Sequence, residues 1–253
     1  MIGIGITTRN RPHVLEACLR HFRYFAHGAA RIVVVDDASE NWKDNYEVFE
    51  KCKPTLNAMY KKTERRLGIA GAKNECLREL VDCQHVFLFD DDAWPHAHFW
   101  ADKWIACAEF HGLGHMSWAA AVPGIRPLVT IGVGDNQLTE WDNCLGVCLY
   151  FSRKCLRALG GFDESGGALY GYEHAQMSQR ATVAGHTGGL RYAGPTLAHE
   201  WIYSLDISLG WLKKEPTLFK WRHGISSACT DAEKAAHPEN ARLLQDAPVY
   251  IAL

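Results

Sequence analysis

No run of about 18 apolar residues occurs in this 253-residue chain, so a membrane-spanning helix is not expected. No charged leader precedes the apolar residues 1–7, and no signal peptide is expected. Excess charge is also missing. Twenty-seven basic residues face twenty-nine acidic ones, which gives no support to capture of nucleic acid or anionic membrane by the whole surface. Nine cysteines are scattered without a CxxC pair, against a zinc ribbon and against a complete disulfide framework. Buried free thiols in a reducing cytoplasm fit that count better. Internal repeats and low-complexity segments are absent as well. What is present is ordinary globular composition, 47% hydrophobic and 22% charged, enough for one large domain or one domain with a small extension.

The first half alternates short apolar runs with amphipathic stretches. Residues 2–7 read as a strand. Residues 12–25 read as a helix with Val14, Leu15, Cys18, Leu19 and Phe22 on one face. Residues 32–35 form a continuously apolar strand ending at Asp36 and Asp37; residues 69–81 are helical. Residues 85–89 form another apolar strand, ending at Asp90, Asp91 and Asp92. Continuous apolar strands separated by helices predict a parallel sheet covered on both faces. Ligands of such sheets bind beyond the carboxyl ends of the strands, so both acidic clusters are expected at one edge. There they repel each other unless a cation or a donor-rich ligand lies between them. In the second half, residues 117–122 and 146–151 read as strands and residues 153–159 as a short helix. A glycine-rich loop over 160–171 and a helix over about 172–184 follow.

Chemistry concentrates at the strand ends. An Asp-x-Asp after a buried strand can place carboxylates on a divalent cation that bridges two phosphates and neutralises a departing diphosphate. Asp36 or Asp37 can accept from a base imide or a ribose hydroxyl, or cap the helix that starts near Trp42. Thr8 and Arg9 end the first strand, where hydroxyl and guanidinium groups can meet a nucleotide. Residues 68–74 open a helix with small residues and Lys73, but lack the phosphate-loop and dinucleotide-loop glycine spacings.

Taken in order, these segments resemble the family 2 glycosyltransferases. Ile6-Thr7-Thr8-Arg9-Asn10-Arg11-Pro12 is similar to that family's Pro-Thr-Tyr-Asn-Arg opening, and Val35-Asp36-Asp37-Ala38-Ser39 to its Val-Asp-Asp-Gly-Ser turn. Gly68 through Asn74 resembles its Gly-x-x-x-Ala-Arg-Asn helix start, and Asp90-Asp91-Asp92 its Asp-x-Asp motif. Gly160-Gly161-Phe162-Asp163-Glu164 resembles its Gly-Gly-Phe-Asp-Glu segment. Tyr170-Gly171-Tyr172-Glu173-His174 through Arg180 looks like its Gly-Trp-Glu-Asp-x-x-Leu-x-x-Arg helix, with His174 where the acidic base usually stands.

The resemblance implies a GT-A fold: a Rossmann-type, mostly parallel α/β sheet with helices on both faces, then a smaller acceptor-side α+β portion. It assigns residues 1–203 to that domain, the donor half ending near 115, with a C-terminal helical extension over 204–253. It implies transfer of a sugar from a nucleotide diphosphate-sugar, a UDP-sugar being favoured, to a glycan, lipid, protein or modified nucleobase. Thr8, Arg9, Asp36, Asp37 and Lys73 would hold the base and ribose, with Asp90 and Asp91 near the ribose and diphosphate. Asp92, joined by His199, would bind Mn2+ or Mg2+. Glu173 or His174 would be the base. Two other readings stay open: a non-catalytic nucleotide-sugar or carbohydrate-binding protein of the same fold, and a nucleotidyltransferase.

Overall fold

The computed structural model describes residues 1–25, 30–119, 125–165, 173–205 and 250–253. Its centre is a six-stranded sheet in the order β3-β2-β1-β4-β9-β6. The strands are β1 (Ile2–Thr8), β2 (Arg31–Asp36), β3 (Ala58–Lys62), β4 (His85–Asp90), β6 (His115–Ser117) and β9 (Cys148–Ser152). The first four are mutually parallel; β9 runs antiparallel to both β4 and β6. This is the expected α/β arrangement.

Strand alternation sorts the helices onto two faces. Ile4, Ile6, Ile32, Val34, Phe87 and Phe89 share one core with the buried faces of α1 (Pro12–Phe25), α2 (Trp42–Cys52) and α4 (Trp100–Phe110). Val33, Val35, Val86 and Leu88 share the other with α3 (Gly68–Glu79), α5 (Arg153–Leu159) and α6 (Glu173–Val183). β1 differs on that second face, where Gly3 and Gly5 stand before Thr7 at its end. A Cβ on Gly5 would lie 2.6 Å from Cys76 Cβ, and one on Gly3 would lie 2.8 Å from Cys83 Sγ. The absent side chains let α3 settle directly on the strand, which brings its first turn to the site.

Smaller sheets flank this frame. β7 (Pro127–Ile131), β8 (Leu138–Trp141) and β10 (Ala193–Pro195) form one, and β5 (Ala93–Pro95) pairs with β11 (Ile202–Ser204). Of the strand expected over 117–122, Ser117 closes β6, where it registers against Leu149 of β9, Trp118 and Ala119 follow outside any strand, and residues 120–122 lie outside the described residues. Residues 250–253 return to the frame: Ile251 N donates to Leu159 O at 2.8 Å, and Gly161 N to Ile251 O at 2.7 Å. Gly160, at φ +69°, has Ile251 O where a Cβ would be, so a side chain cannot fit. Most of the C-terminal extension, residues 166–171 of the glycine-rich loop, and Tyr172, where the next helix is expected to begin, lie outside the described residues. The eight cysteines of the described residues are buried and unpaired. Among those residues no helix is long and apolar enough to cross a membrane.

Candidate functional site

The carboxyl ends of β1, β2 and β4 meet at one edge, as parallel pairing demands, and the two acidic clusters lie there. Asp91 N donates to Thr7 O (3.1 Å), Asp90 N to Val147 O (3.1 Å) and Asp37 N to Thr8 O (3.0 Å), so the backbone ladder carries past the strand ends.

Asp36 builds its own turn. Its carboxylate accepts from Ser39 N at 2.8 Å, from Asn45 Nδ2 at 2.8 Å and from the Tyr60 hydroxyl. Ala38, at φ +52°, occupies the left-handed position where glycine is the family residue, at a cost of about 1–2 kcal/mol. Asp37 does different work. Its two oxygens accept from Leu67 N (2.5 Å) and Gly68 N (2.9 Å), satisfying donors at the start of α3.

The acids after β4 are held one by one. Thr8 Oγ1 donates to Asp91 Oδ2 at 2.6 Å. Arg11 spans the next two, one guanidinium nitrogen on Asp91 Oδ1 and the other 3.1 Å from Asp92 Oδ2. Asp91 is raised to about 7, chiefly because burial disfavours its charge; Arg11 pulls against that rise and Asp92 adds to it. Arg9 is half-buried at the same edge, and its Nε is buried with no hydrogen-bond partner.

Lys73 ties this edge to the acceptor half. Its side chain has no exposed surface, and Nζ lies 3.3 Å from Asp90 Oδ1, 3.2 Å from Glu173 Oε1 and 3.0 Å from Gly146 O. The three acceptors surround the ammonium, so Lys73 is an internal tether rather than an open contact for a ribose. Beside it, Asn74 exchanges two bonds with the backbone of Phe162 (2.7 and 2.9 Å) and donates to Glu164 Oε1 at 2.7 Å. Arg180, fully buried on α6, donates to the carbonyls of Gly161 and Leu159. The motifs around Asn74, Gly160 and Arg180 thus bond to one another.

Glu173 opens α6 and accepts from Lys73, with His174 Nδ1 3.4 Å away. Burial raises the Glu173 pKa, but the Lys73 and His174 charges outweigh it and hold the carboxyl well below its usual range. Burial lowers the His174 pKa, while Cys144 and Glu173 raise it further, to about 10. At neutral pH the pair is therefore carboxylate and imidazolium. Gly146 sits tightly against both: a Cβ there would lie 2.8 Å from His174 Nδ1 and 3.2 Å from Glu173 Oε1.

A pH dependence follows from His174. Its folded pKa is raised above the unfolded value near 6.5, so its contribution is complete below that value and is lost as pH rises toward 10. Denaturant melts at pH 6, 8 and 10 should show a loss on the order of a few kcal/mol that His174→Gln does not show. Parallel pH curves for the two proteins would contradict the charged pair.

His199 lies exposed on a short 3-10 turn, Ala198–Glu200. Among the described residues no three His, Cys, Asp or Glu side chains are arranged to hold an ion by themselves. Trp94, Trp141 and Trp201 are buried, and Trp94 stacks on Tyr203 at 5.3 Å. Arg11, Asn74 and Gly146 are site residues that the sequence reading did not single out. Arg11 and Asn74 lay within quoted motifs; an isolated glycine carried no signal.

Residues 4–113 match the family model described as Glycosyl transferase family 2. No curated protein matches the chain. Solved structures share the fold at low identity. The mannosyltransferase PcManGT from Pyrobaculum calidifontis, in complex with GDP-Man and Mn2+, superposes with a TM-score of 0.58 at 18% identity, covering 96% of this chain and 72% of that one. TarS 1-349 of S. aureus in complex with UDP gives 0.54 at 18% identity, over 71% of this chain and 54% of that one. GalNAc-T7 with UDP, GalNAc and Mn2+ gives 0.61 at 12% identity, over 98% and 56%. This chain spans 30% of the longer TarS structure. Residues 4–113 are thus similar to glycosyl transferase family 2, and the chain's fold is the GT-A fold of glycosyltransferases.

Proposed function

We propose that this chain is a glycosyltransferase that takes a sugar from a nucleotide diphosphate donor and passes it to an acceptor hydroxyl. One observation carries the reading. Lys73 bonds an acid of the strand-end cluster, where a diphosphate would lie, to Glu173, the one of the two candidate bases that is deprotonated at neutral pH. The solved structures of this fold with bound UDP or GDP-Man support the donor class. Arg9 supports it too, because its buried Nε lacks an acceptor that a phosphate or ribose oxygen could supply.

Glu173 would take the acceptor proton. A base must offer a lone pair; the Glu173 carboxylate does, and the His174 imidazolium does not. His174 and Lys73 then keep Glu173 deprotonated and aimed, while Asp37 fixes the start of α3 on which Lys73 stands. Inversion at the anomeric carbon is the outcome we assign to such a base.

The oxygen donors of Asp90 and Asp92 suit Mn2+ or Mg2+, which are commonly held by one or two carboxylates plus phosphate oxygens. Asp92, with Asp90 beside it, would hold the ion. When bound, it would neutralise charge on the leaving diphosphate.

The test is a thermal-shift panel of nucleotide sugars with Mn2+, followed by a nucleoside diphosphate release assay. A true donor at about 100 times its Kd should add about 2.7 kcal/mol of stability, and nucleoside diphosphate should be released. Pyrophosphate release would indicate nucleotidyl transfer instead. Stabilisation without release would indicate a binding protein.

A further inference from the structure

The placement of Arg11 decides how an ion can reach the acidic cluster, an inference that rests on the reading of Asp92 as its ligand. Arg11 is fixed twice. Its carbonyl accepts from Val14 N (3.1 Å) and Leu15 N (3.0 Å) as α1 begins, and its guanidinium forks onto Asp91 and Asp92. The fork is pre-organised, and both acids are buried, so the pairing is shielded from water. Lys73 meanwhile occupies Asp90. Each of the three carboxylates thus already has a protein cation against it.

A divalent ion at Asp92 would lie within a few ångströms of the Arg11 charge. Even at an effective dielectric of about 20, that repulsion exceeds a tenfold change in affinity. A diphosphate brings the negative charge that offsets it. We propose that Arg11 is a built-in counter-ion that prevents Asp92 from holding a divalent ion alone, so that the ion is taken up together with the diphosphate. Arg11 acts through Asp92 and is a positioning residue, not a catalytic one.

The experiment titrates Mn2+ into the full chain, following free Mn2+ by electron paramagnetic resonance, with and without UDP as the diphosphate probe. The unaltered protein should bind Mn2+ at least about tenfold more tightly when UDP is present, a difference of about 1.4 kcal/mol. Arg11→Gln should bind Mn2+ alone at least about tenfold more tightly than the unaltered protein. Arg11→Lys, which keeps the charge, should not. Adding Asp92→Asn to Arg11→Gln should abolish the gain. Equal or weaker Mn2+ binding by Arg11→Gln overturns the proposal. So does tight binding of Mn2+ alone by the unaltered chain, which needs no variant to fold. A gain in Arg11→Gln with no UDP effect in either protein would leave Arg11 as a counter-ion but overturn joint uptake with the diphosphate, and would count against the donor reading.

Discussion

Lys73→Met should melt roughly 10 °C below the unaltered protein at pH 7. Methionine fills similar space without the charge, and Asp90 and Glu173 would then share a site with no ammonium between them. Removing one partner of a buried ion pair typically costs about 3–5 kcal/mol, because the charge left behind is neither hydrated nor paired. In a domain of this size each kcal/mol moves the midpoint by about 2–4 °C. Lys73→Arg keeps the charge, and arginine is the family's usual residue there, so its loss should be smaller. Circular dichroism melts of the three proteins would decide the matter. A methionine variant melting within about a degree of the parent would mean that the ammonium contributes little net energy.

Glu173→Gln should have the largest effect on turnover. Glutamine is close in shape and still offers an oxygen to Lys73, so donor binding should stay nearly unchanged. It cannot accept the acceptor proton, and losing a general base typically costs about 10²–10⁴ in rate. That pattern, kcat lowered with the donor Kd held, is the signature of a group acting in the transition state. His174→Gln should cost less, since at neutral pH His174 carries its proton and acts on Glu173 through charge. The measurement is nucleoside diphosphate release with the donor identified by thermal shift. A larger loss in His174→Gln than in Glu173→Gln would move the base to His174.

Much of the frame was legible because burial writes itself into composition. β2 and β4 are buried on both faces and read as unbroken apolar runs; α1 shows five apolar residues at helical spacing, all of which are buried. β3 was not legible. It is an edge strand, its residues are only partly buried, and Ala-Met-Tyr-Lys-Lys has no clean alternation. α4 was missed because Trp, Ala, Ile and Cys crowd most of its surface and blur the helical period.

In the site, the acids were legible as residue types at strand ends, but their partners were not. Nothing in the sequence near Asp91 announces a guanidinium 80 positions earlier. Asp36 and Asp37 looked interchangeable as neighbours. They part only in three dimensions, where one meets Asn45 and Tyr60 and the other meets the first amides of α3. The crowding of Gly146 against His174 likewise depends on the packing of α6, which no local pattern encodes.

The separation of these partners also governs how the chain can be divided. Thr8 meets Asp91 across 83 positions, Asn74 meets Glu164 across 90, and Lys73 meets Glu173 across 100. Such contacts repay their ordering entropy only after long loops have closed. A fragment cut at residue 113, where the family match ends, would keep the acidic cluster yet lose β9 from the side of β4 and Glu173 from Lys73. The recognisable half of the chain is therefore not a separable unit: it holds the donor-side residues, and later residues hold it in shape.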